Sequence, residues 1–400
     1  MLNVVSLSEA EKIINEKLIL QTQTESVLLS DAVGRVLAED IISTENIPSF
    51  NRSTVDGYAV KAEDTYGVGE SMPAMLRIKK EILMGETADF LLESGECAKI
   101  PTGGMIPTGA DSAVMTENTE NENDEICLVY KSVAPLENVT MLGDDVKENE
   151  TVIGKNTVLK PFHIGVLAAT GTEKVIVYKR AKVGIVSTGD EIVEISEAPE
   201  KGQIRDVNTY LLSAMMKEIG CETVVYGIVK DSFDELSAVV GKASQECDAV
   251  LISGGSSAGE RDMTAEVISR HGEVFVHGIA MKPGKPTIIG KTGNTAVFGL
   301  PGHPAAAYFV ALALVRPLMN KLNHTVSEEK TGQFPIKSNI SSNNGREEFL
   351  CVKITDGHAV PIYGKSGIVS LLSKADGYIR IDRNSEGVKA GETVTVNFLR

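Results

Sequence analysis

Lys182-Val-Gly-Ile-Val-Ser187 and Asp248-Ala-Val-Leu-Ile-Ser253 are short, almost continuously apolar runs, and they decide the fold of this chain. The patterns between and after them predict helices at 209–219, 233–245 and about 264–270, and a further strand at 222–229. Strands that alternate with helices form parallel sheets, and strands that lack polar alternation are buried on both faces. We therefore predict a doubly wound α/β domain with a parallel sheet.

The segments on either side of this domain have other patterns. Residues 46–141 contain short strand-type runs separated by Gly, Pro, Asn and Asp, and an alternating strand pattern returns at 347–354. Helical patterns at 6–19 and 161–171 flank the first β-rich segment, and an apolar run at 304–322 predicts a closing helix. The chain is therefore predicted to be an α/β multidomain protein.

The composition excludes several classes of partner. The 400 residues carry a formal charge of −16, with a pI near 5.0. Nucleic acids and anionic membranes need broad basic faces, so we expect neither as a partner. The first twenty residues lack the pattern of a signal peptide, and the apolar run at 305–315 is too short to span a bilayer. Five scattered cysteines fit a reducing compartment, so a cytoplasmic location is expected.

Acidic side chains follow each of the first three predicted strands. Thr188-Gly-Asp-Glu191 follows the first strand, Asp231 the second, and Gly254-Gly-Ser-Ser-Ala-Gly-Glu-Arg-Asp262 the third. Parallel strands end at one edge of a sheet, so Glu191 (with Asp190), Asp231 and Asp262 are expected to share a rim. Carboxylates together with substrate phosphates suit Mg²⁺. Each residue also has an ordinary interpretation as a helix cap or turn residue.

Two further segments have the character of anion sites. The loop after the third strand has glycines at 254, 255 and 259, which let backbone N–H groups approach an anion. Lys282-Pro-Gly-Lys-Pro286 fixes two lysines three residues apart on a backbone stiffened by proline. An exposed Pro/Gly turn with solvated lysines is the alternative interpretation of this second segment.

Several motifs follow one another in a specific order along the chain: Asp56-Gly-Tyr-Ala, Thr102-Gly, Gly109-Ala-Asp111, Ser187-Thr-Gly-Asp-Glu191, Ser253-Gly-Gly, Lys282-Pro-Gly-Lys-Pro and Leu300-Pro-Gly. From end to end, the chain resembles the molybdopterin molybdenumtransferase (MoeA) family, which includes the E domains of gephyrin and of plant Cnx1.

The resemblance implies a homodimer of four-domain subunits. A discontinuous N-terminal domain, expected to form the dimer, comprises 1–45 and 142–178, and a β-rich domain is inserted at 46–141. The doubly wound α/β molybdopterin-binding domain is expected at 179–324, and a small C-terminal β barrel at 325–400. The implied reaction inserts molybdate into adenylyl-molybdopterin with the help of Mg²⁺. AMP is released and molybdenum cofactor is the product. The adenylyltransferase of the preceding step is a candidate partner.

The resemblance also implies roles for individual residues. Those expected to be catalytic are Asp56, Thr102, Glu191, Asp231 and Asp262. The last three of these are also the expected metal ligands. The first two are expected to face the partner subunit's α/β domain, so that the site is shared across the dimer. Those expected to bind substrate are Ser187, Thr188, Asp190, Ser253, Gly254, Gly255, Ser256, Gly259, Lys282, Lys285, Pro301, Gly302 and Arg346.

Two alternatives compete with this hypothesis. The α/β domain is also similar to the molybdopterin adenylyltransferase, although the Gly-Gly-Thr-Gly loop of that family is replaced here by Gly254-Gly-Ser-Ser. A non-catalytic scaffold of the gephyrin type is the second alternative. Acidic residues at all three strand ends favour chemistry over a scaffold.

Overall fold

The computed structural model describes residues 4–254, 263–326 and 329–399. The chain forms two compact units, one comprising Met1–Glu25 with Val177–Arg400 and the other Ser26–Ile176. The chain passes between the units within the strands Thr24–Leu28 and Lys174–Tyr178. The finer division into four domains stays a prediction.

The larger unit contains the α/β domain, in which we number the elements in chain order. Its six strands are β1 Lys182–Thr188, β2 Glu222–Val229, β3 Ala249–Ser253, β4 Gly272–His277, β5 Ile288–Thr292 and β6 Thr295–Leu300. Its helices are α1 Asn208–Glu218, α2 Phe233–Glu246, α3 Met263–His271 and α4 Pro304–Leu322. All five residues of β3 are buried, which explains the absence of polar residues from its middle.

The strand order of this sheet is β2-β1-β3-β6-β5-β4. The first four strands are parallel, which confirms the prediction for β1, β2 and β3, and β1 lies between β2 and β3. The chain therefore changes winding direction between β1 and β3, which is where doubly wound sheets bind ligands. The other edge makes the sheet mixed, since β5 and β4 run antiparallel to their neighbours. The two-residue loop Gly293–Asn294 reverses the chain between β5 and β6 there.

Helix α4 is the longest of the four helices of the domain. It contains a π-helical turn at Ala311–Val315, and Ala307, Val310 and Leu314 lie in the main core with Phe298 of β6. By length and composition alone this 19-residue helix could cross a membrane, with a mean hydropathy of 1.2. However, 72% of it is buried inside the protein. A buried core helix passes the same test, so this helix gives only weak support for a membrane span.

The N- and C-terminal parts of the larger unit pack on this domain. Helix Leu7–Lys17 begins at Ser6, whose Oγ accepts the N–H of Glu9, and contributes Ile14 to the main core. The C-terminal sheet comprises the strands Met281–Lys282, Thr331–Pro335, Glu347–Thr355, His358–Pro361, Gly377–Ile381 and Thr393–Phe398. Beside it lie the strand pair Ile340–Ser341 and Gly387–Val388 and the helix Ser370–Lys374. The strand Met281–Lys282 connects this sheet to the α/β domain.

The smaller unit is built around one mixed sheet. Its strands are, in spatial order, Ser112–Met115, Gly57–Val60, Glu96–Ile100, Ala74–Glu81, Ile126–Val129 and Thr119–Glu122. Separate apolar clusters cover the two faces. Outside this sheet are the strand pairs Arg52–Ser53 with Val139–Thr140 and Ile41–Ile42 with Thr151–Ile153, and the helix Pro161–Ala169. This arrangement agrees with the predicted β-rich segment between residues 46 and 141.

Candidate functional site

A cavity of about 1490 Å³ lies beyond the carboxyl ends of the parallel strands. Its walls come from the residues that follow β1, β2, β3 and β6, from the start of α1, and from a loop at 367–369 in the C-terminal part of the larger unit. Of the residues predicted from the sequence, those that line it are Ser187, Thr188, Glu191, Asp231, Ser253, Gly254, Pro301 and Gly302. The strand-end argument therefore brought residues from three separate segments to one cavity, and Pro301 and Gly302, which the resemblance implied, line it as well.

The rim at β1 and β2 joins two of the predicted carboxylate positions. The hydroxyl of Thr188 donates to Oδ1 of Asp231 at 3.0 Å, and the backbone N–H of Asp231 donates to Oδ1 of Asp190 at 3.3 Å. Glu191 is exposed and its carboxylate folds back over Gly189, where an added Cβ would lie 2.7 Å from Oε2. The rim therefore presents carboxylate oxygens from two strand ends.

A buried network behind this rim holds the start of α1 against β1. The hydroxyl of Ser187 donates to Oδ1 of Asp206 at 2.9 Å and lies 2.9 Å from the hydroxyl of Thr209. The same Asp206 oxygen accepts the backbone N–H of Thr209 at 3.1 Å, which caps the helix. Ser187 is 1% exposed and Asp206 is 5% exposed, so these hydroxyl and carboxylate groups satisfy one another inside the protein.

Asn208 connects three walls of the cavity. Its Nδ2 donates to Oγ of Ser253 at 2.6 Å and to the carbonyl oxygen of Gly302 at 2.8 Å. The Gly302 carbonyl can only accept, so the nitrogen of the amide must face it. Oδ1 is then left buried without a donor, in a side chain that is only 6% exposed. A buried polar atom without a partner costs stability and is a common mark of a functional site.

Gly254 is the point where β3 turns into the cavity. Its φ is +105°, a region that side chains rarely adopt, and an added Cβ would lie 2.1 Å from the carbonyl oxygen of Thr188. Only glycine lets the backbone approach this closely. The next part of the loop, with the predicted residues Gly255, Ser256, Gly259 and Asp262, lies outside the described residues.

The predicted cations Lys282, Lys285 and Arg346 are not among the described residues that line the cavity. Nζ of Lys282 is 2.7 Å from Oε1 of Glu348, whose other oxygen accepts the hydroxyl of Ser342. Lys285 is half-buried and Arg346 is exposed, and the part of this segment that reaches the cavity wall is Pro286. The roles of the two lysines and of Arg346 stay predictions.

Asp56 and Thr102, two residues predicted to be catalytic, lie together in the smaller unit. Oδ1 of Asp56 accepts the backbone N–H of Thr102 at 2.7 Å and its hydroxyl at 3.0 Å. The backbone hydrogen bond, followed by the hydroxyl bond, lowers the pKa of this carboxyl below its ordinary value. The structure therefore brings together two residues predicted to act together, and it holds the carboxylate ionised.

Several lining residues were not predicted to function, and three of them have polar side chains placed to contact a ligand or a wall of the cavity. Arg205 and Asn208 lie in the segment before α1, and His303 precedes α4. Nδ1 of His303 lies 2.8 Å from the hydroxyl of Ser366, which fastens the C-terminal loop beside the cavity. Sequence reasoning had one local signal for this part of the site. Asp206 stands three residues before Thr209, the spacing of a helix N-cap, and this could have drawn attention to the start of α1.

The rim has donors that fit Mg²⁺. Glu191 and Asp231 offer hard carboxylate oxygens beside a cavity wide enough for metal-bound water and phosphate. Across residues 4–254, 263–326 and 329–399, no group of three or more His, Cys, Asp and Glu side chains is close enough to hold a metal by itself. A metal here would therefore depend on ligands from its substrate or from Asp262.

Family models match the chain in three consecutive regions. They are described as the MoeA N-terminal region (domain I and II), a probable molybdopterin binding domain and the MoeA C-terminal region (domain IV). The matched residues are 5–171, 184–321 and 333–399.

Whole-length relatives agree with these matches. A putative molybdopterin biosynthesis protein of Methanocaldococcus jannaschii is 38% identical, over 100% of this chain and 99% of its own length. A molybdopterin molybdenumtransferase of Haemophilus influenzae is 32% identical over 98% of both chains. The crystal structure of a molybdopterin biosynthesis MoeA protein of Pyrococcus horikoshii superimposes with a TM-score of 0.89 at 37% identity, and each chain is covered completely.

Proposed function

The chain belongs to the MoeA family of molybdopterin molybdenumtransferases, and we propose that it catalyses the last step of molybdenum cofactor assembly. In this reaction molybdate enters the dithiolene of adenylyl-molybdopterin, the pyrophosphate linkage is cleaved, and AMP leaves. The observation that carries the proposal is the strand-end cavity, in which Glu191 and Asp231 share a rim with Gly254 and the start of α1. A cavity of about 1490 Å³ is large enough for a substrate that joins a pterin to a nucleotide.

The side chains of the rim are oriented before any substrate binds. The Thr188 hydroxyl fixes one oxygen of Asp231, and the Asp231 backbone is tied to Asp190. These hydrogen bonds leave the second oxygen of Asp231 for a ligand. Gly254 allows the backbone of the following loop to approach a phosphate. The rim residues thus position the pyrophosphate, and preorganised polar groups of this kind are an effective source of rate enhancement.

We also propose that Mg²⁺ is bound by Glu191 and Asp231, with Asp262 as a third ligand. The ion would supply positive charge against the pyrophosphate oxygens. Four lining side chains are carboxylates, namely Glu191, Asp206, Asp231 and Glu266, so a polyphosphate needs added positive charge to enter this cavity.

Further proposals concern the assembly and its surroundings. We propose a cytoplasmic homodimer in which Asp56 and Thr102 of one subunit complete the site of the other. Their exposure and their mutual hydrogen bonds support this, because they form a fixed anionic group that no other part of the smaller unit covers among its described residues. The adenylyltransferase of the preceding step is the proposed donor of the substrate.

The direct test is release of AMP from adenylyl-molybdopterin by purified protein, measured with and without molybdate and with and without Mg²⁺. Molybdate-dependent release supports the proposal, and its absence in a folded preparation contradicts it. Incubation with molybdopterin and ATP, without molybdate, distinguishes the adenylyltransferase alternative, because only that enzyme would form adenylylated pterin. A scaffold would release no AMP, and the exchange Asp231→Asn would then change nothing.

A further inference from the structure

Arg205 has a distinctive position among the described residues of the cavity wall. It is the one lysine or arginine side chain among the described lining residues, where four carboxylates also lie. It ends the short strand Ile204–Arg205, which pairs with Ile192–Val193, and the N–H of Ile204 donates to the carbonyl oxygen of Glu191 at 2.8 Å. The guanidinium is therefore carried by the same loop as a proposed metal ligand.

The side chain of Arg205 is anchored at one atom only. Its Nε–H is shared between the carbonyl oxygens of Ile195 and Glu197, each at 3.1 Å. Its two terminal amino groups have no partner among the described residues, and the side chain is exposed. Fixing Nε sets the direction of the planar group and leaves its fork of donors free, which is the arrangement that binds phosphate bidentately.

We propose that Arg205 binds a phosphate of the nucleotide half of the substrate. The inference rests on the proposed function, because that function supplies a substrate with a pyrophosphate. An anion that enters a cavity lined by four carboxylates is repelled unless a cation meets it, and Arg205 is the cation that the described wall provides. Arg205 would share this task with the Mg²⁺ that is proposed to bind at Glu191, its neighbour on the loop.

The test is calorimetric titration of the full-length protein with AMP and, separately, with adenosine, which lacks the phosphate. The exchange Arg205→Gln is expected to weaken AMP binding by roughly 10- to 100-fold, the usual value of a charge-assisted pair, and to leave adenosine binding unchanged. Arg205→Lys keeps the positive charge but lacks the planar fork of donors. Its AMP affinity is expected to lie between that of the unmodified protein and that of Arg205→Gln. Lys201→Gln is the matched control, because it removes the same charge from an exposed position of the same loop.

Three results would overturn the inference. The first is an AMP affinity of Arg205→Gln that lies within twofold of the affinity of the unmodified protein. The second is a loss of AMP affinity in Lys201→Gln as large as the loss in Arg205→Gln. An equal loss of AMP and adenosine affinity in Arg205→Gln is the third, since it would mean that the side chain only holds the loop. These outcomes concern binding alone, so the inference can fail while molybdate-dependent AMP release is intact. Conversely, phosphate-dependent binding of AMP by Arg205 without any such release would contradict the proposed reaction only.

Discussion

Exchanging Asn208 for aspartate is expected to destabilise the protein more than exchanging it for alanine, although aspartate has nearly the same shape. Nδ2 donates to Ser253 and to the Gly302 carbonyl, whereas Oδ1 has no donor. Alanine removes two hydrogen bonds, worth about 2 kcal/mol together, and also removes an unpaired buried acceptor that costs about 1–3 kcal/mol. The net change for alanine is therefore small, about −1 to +1 kcal/mol.

Aspartate keeps the unpaired oxygen and replaces the donor. Its second oxygen would face the Gly302 carbonyl, so two acceptors meet where one hydrogen bond existed. An uncompensated carboxylate in a position that is 6% exposed is expected to cost about 3–5 kcal/mol. The difference between the two variants is then at least about 2 kcal/mol, which corresponds to a Tm about 4–8 °C lower for Asn208→Asp in a unit of this size.

Differential scanning calorimetry at pH 7.5 measures this difference, with Asn344→Asp as the control for adding one negative charge at an exposed position. Burial raises the pKa of a new carboxyl above its unfolded value of about 3.9, so the deficit of Asn208→Asp should shrink as the pH is lowered towards 4. A melting temperature for Asn208→Asp equal to or above that of Asn208→Ala would refute the reasoning. It would mean that the amide nitrogen does not face Gly302.

Gly254→Ala should lower stability by about 3 kcal/mol or more, since its Cβ would lie 2.1 Å from the last carbonyl oxygen of β1. Gly302→Ala is its control, with an ordinary contact at 3.8 Å, and equal melting temperatures would contradict the prediction. The hydrogen bond from Lys79 is the main cause that lowers the pKa of Glu96 from 4.5 to about 2. The ionised Glu96 carboxylate therefore stabilises the folded state above pH 4.5, and this contribution is lost as the pH falls towards 2. Glu96→Gln should have a lower melting temperature than the unmodified protein at pH 7, and it should lose less stability when the pH is lowered. Parallel curves of melting temperature against pH for the two proteins would contradict this prediction. Asp231→Asn should raise the Mg²⁺ concentration for half-maximal AMP release by at least roughly tenfold, and an unchanged titration would remove this residue from the metal site.

The fold follows from the sequence wherever its causes are local. The strand Glu222–Val229 and the helix Pro304–Leu322 have the predicted bounds, because apolar period and Gly or Pro punctuation lie within each segment. The sequence analysis assigned no direction to the strands of the antiparallel edge, because strand direction depends on the connection. The Gly-Asn pair at 293–294, between Thr292 and Thr295, was nevertheless a local hairpin signal, and these two flanking residues pair in the structure.

The candidate site was predictable to the extent that it depends on strand ends. Glu191 and Asp231 share a rim because parallel strands must end together, and this follows from topology without any knowledge of distances. The neighbourhood of Lys282 could not be predicted in the same way. Its carboxylate partner, Glu348, is distant in the sequence and comes close because Met281–Lys282 pairs with the start of Glu347–Thr355. No local pattern encodes that pairing.

A motif also does not distinguish a polar group that holds the fold from one that meets a ligand. Ser187 belongs to a motif assigned to substrate, yet its hydroxyl is already engaged with Asp206 and Thr209. Arg205 and Asn208 belong to no such assignment, yet among the described residues each keeps donors or an acceptor without a partner beside the cavity. Polar groups without a hydrogen-bond partner lower the stability of the fold. A protein retains them where their contribution to ligand binding exceeds this loss of stability. The groups that await a ligand are therefore found by accounting for hydrogen bonds, and that accounting needs the structure.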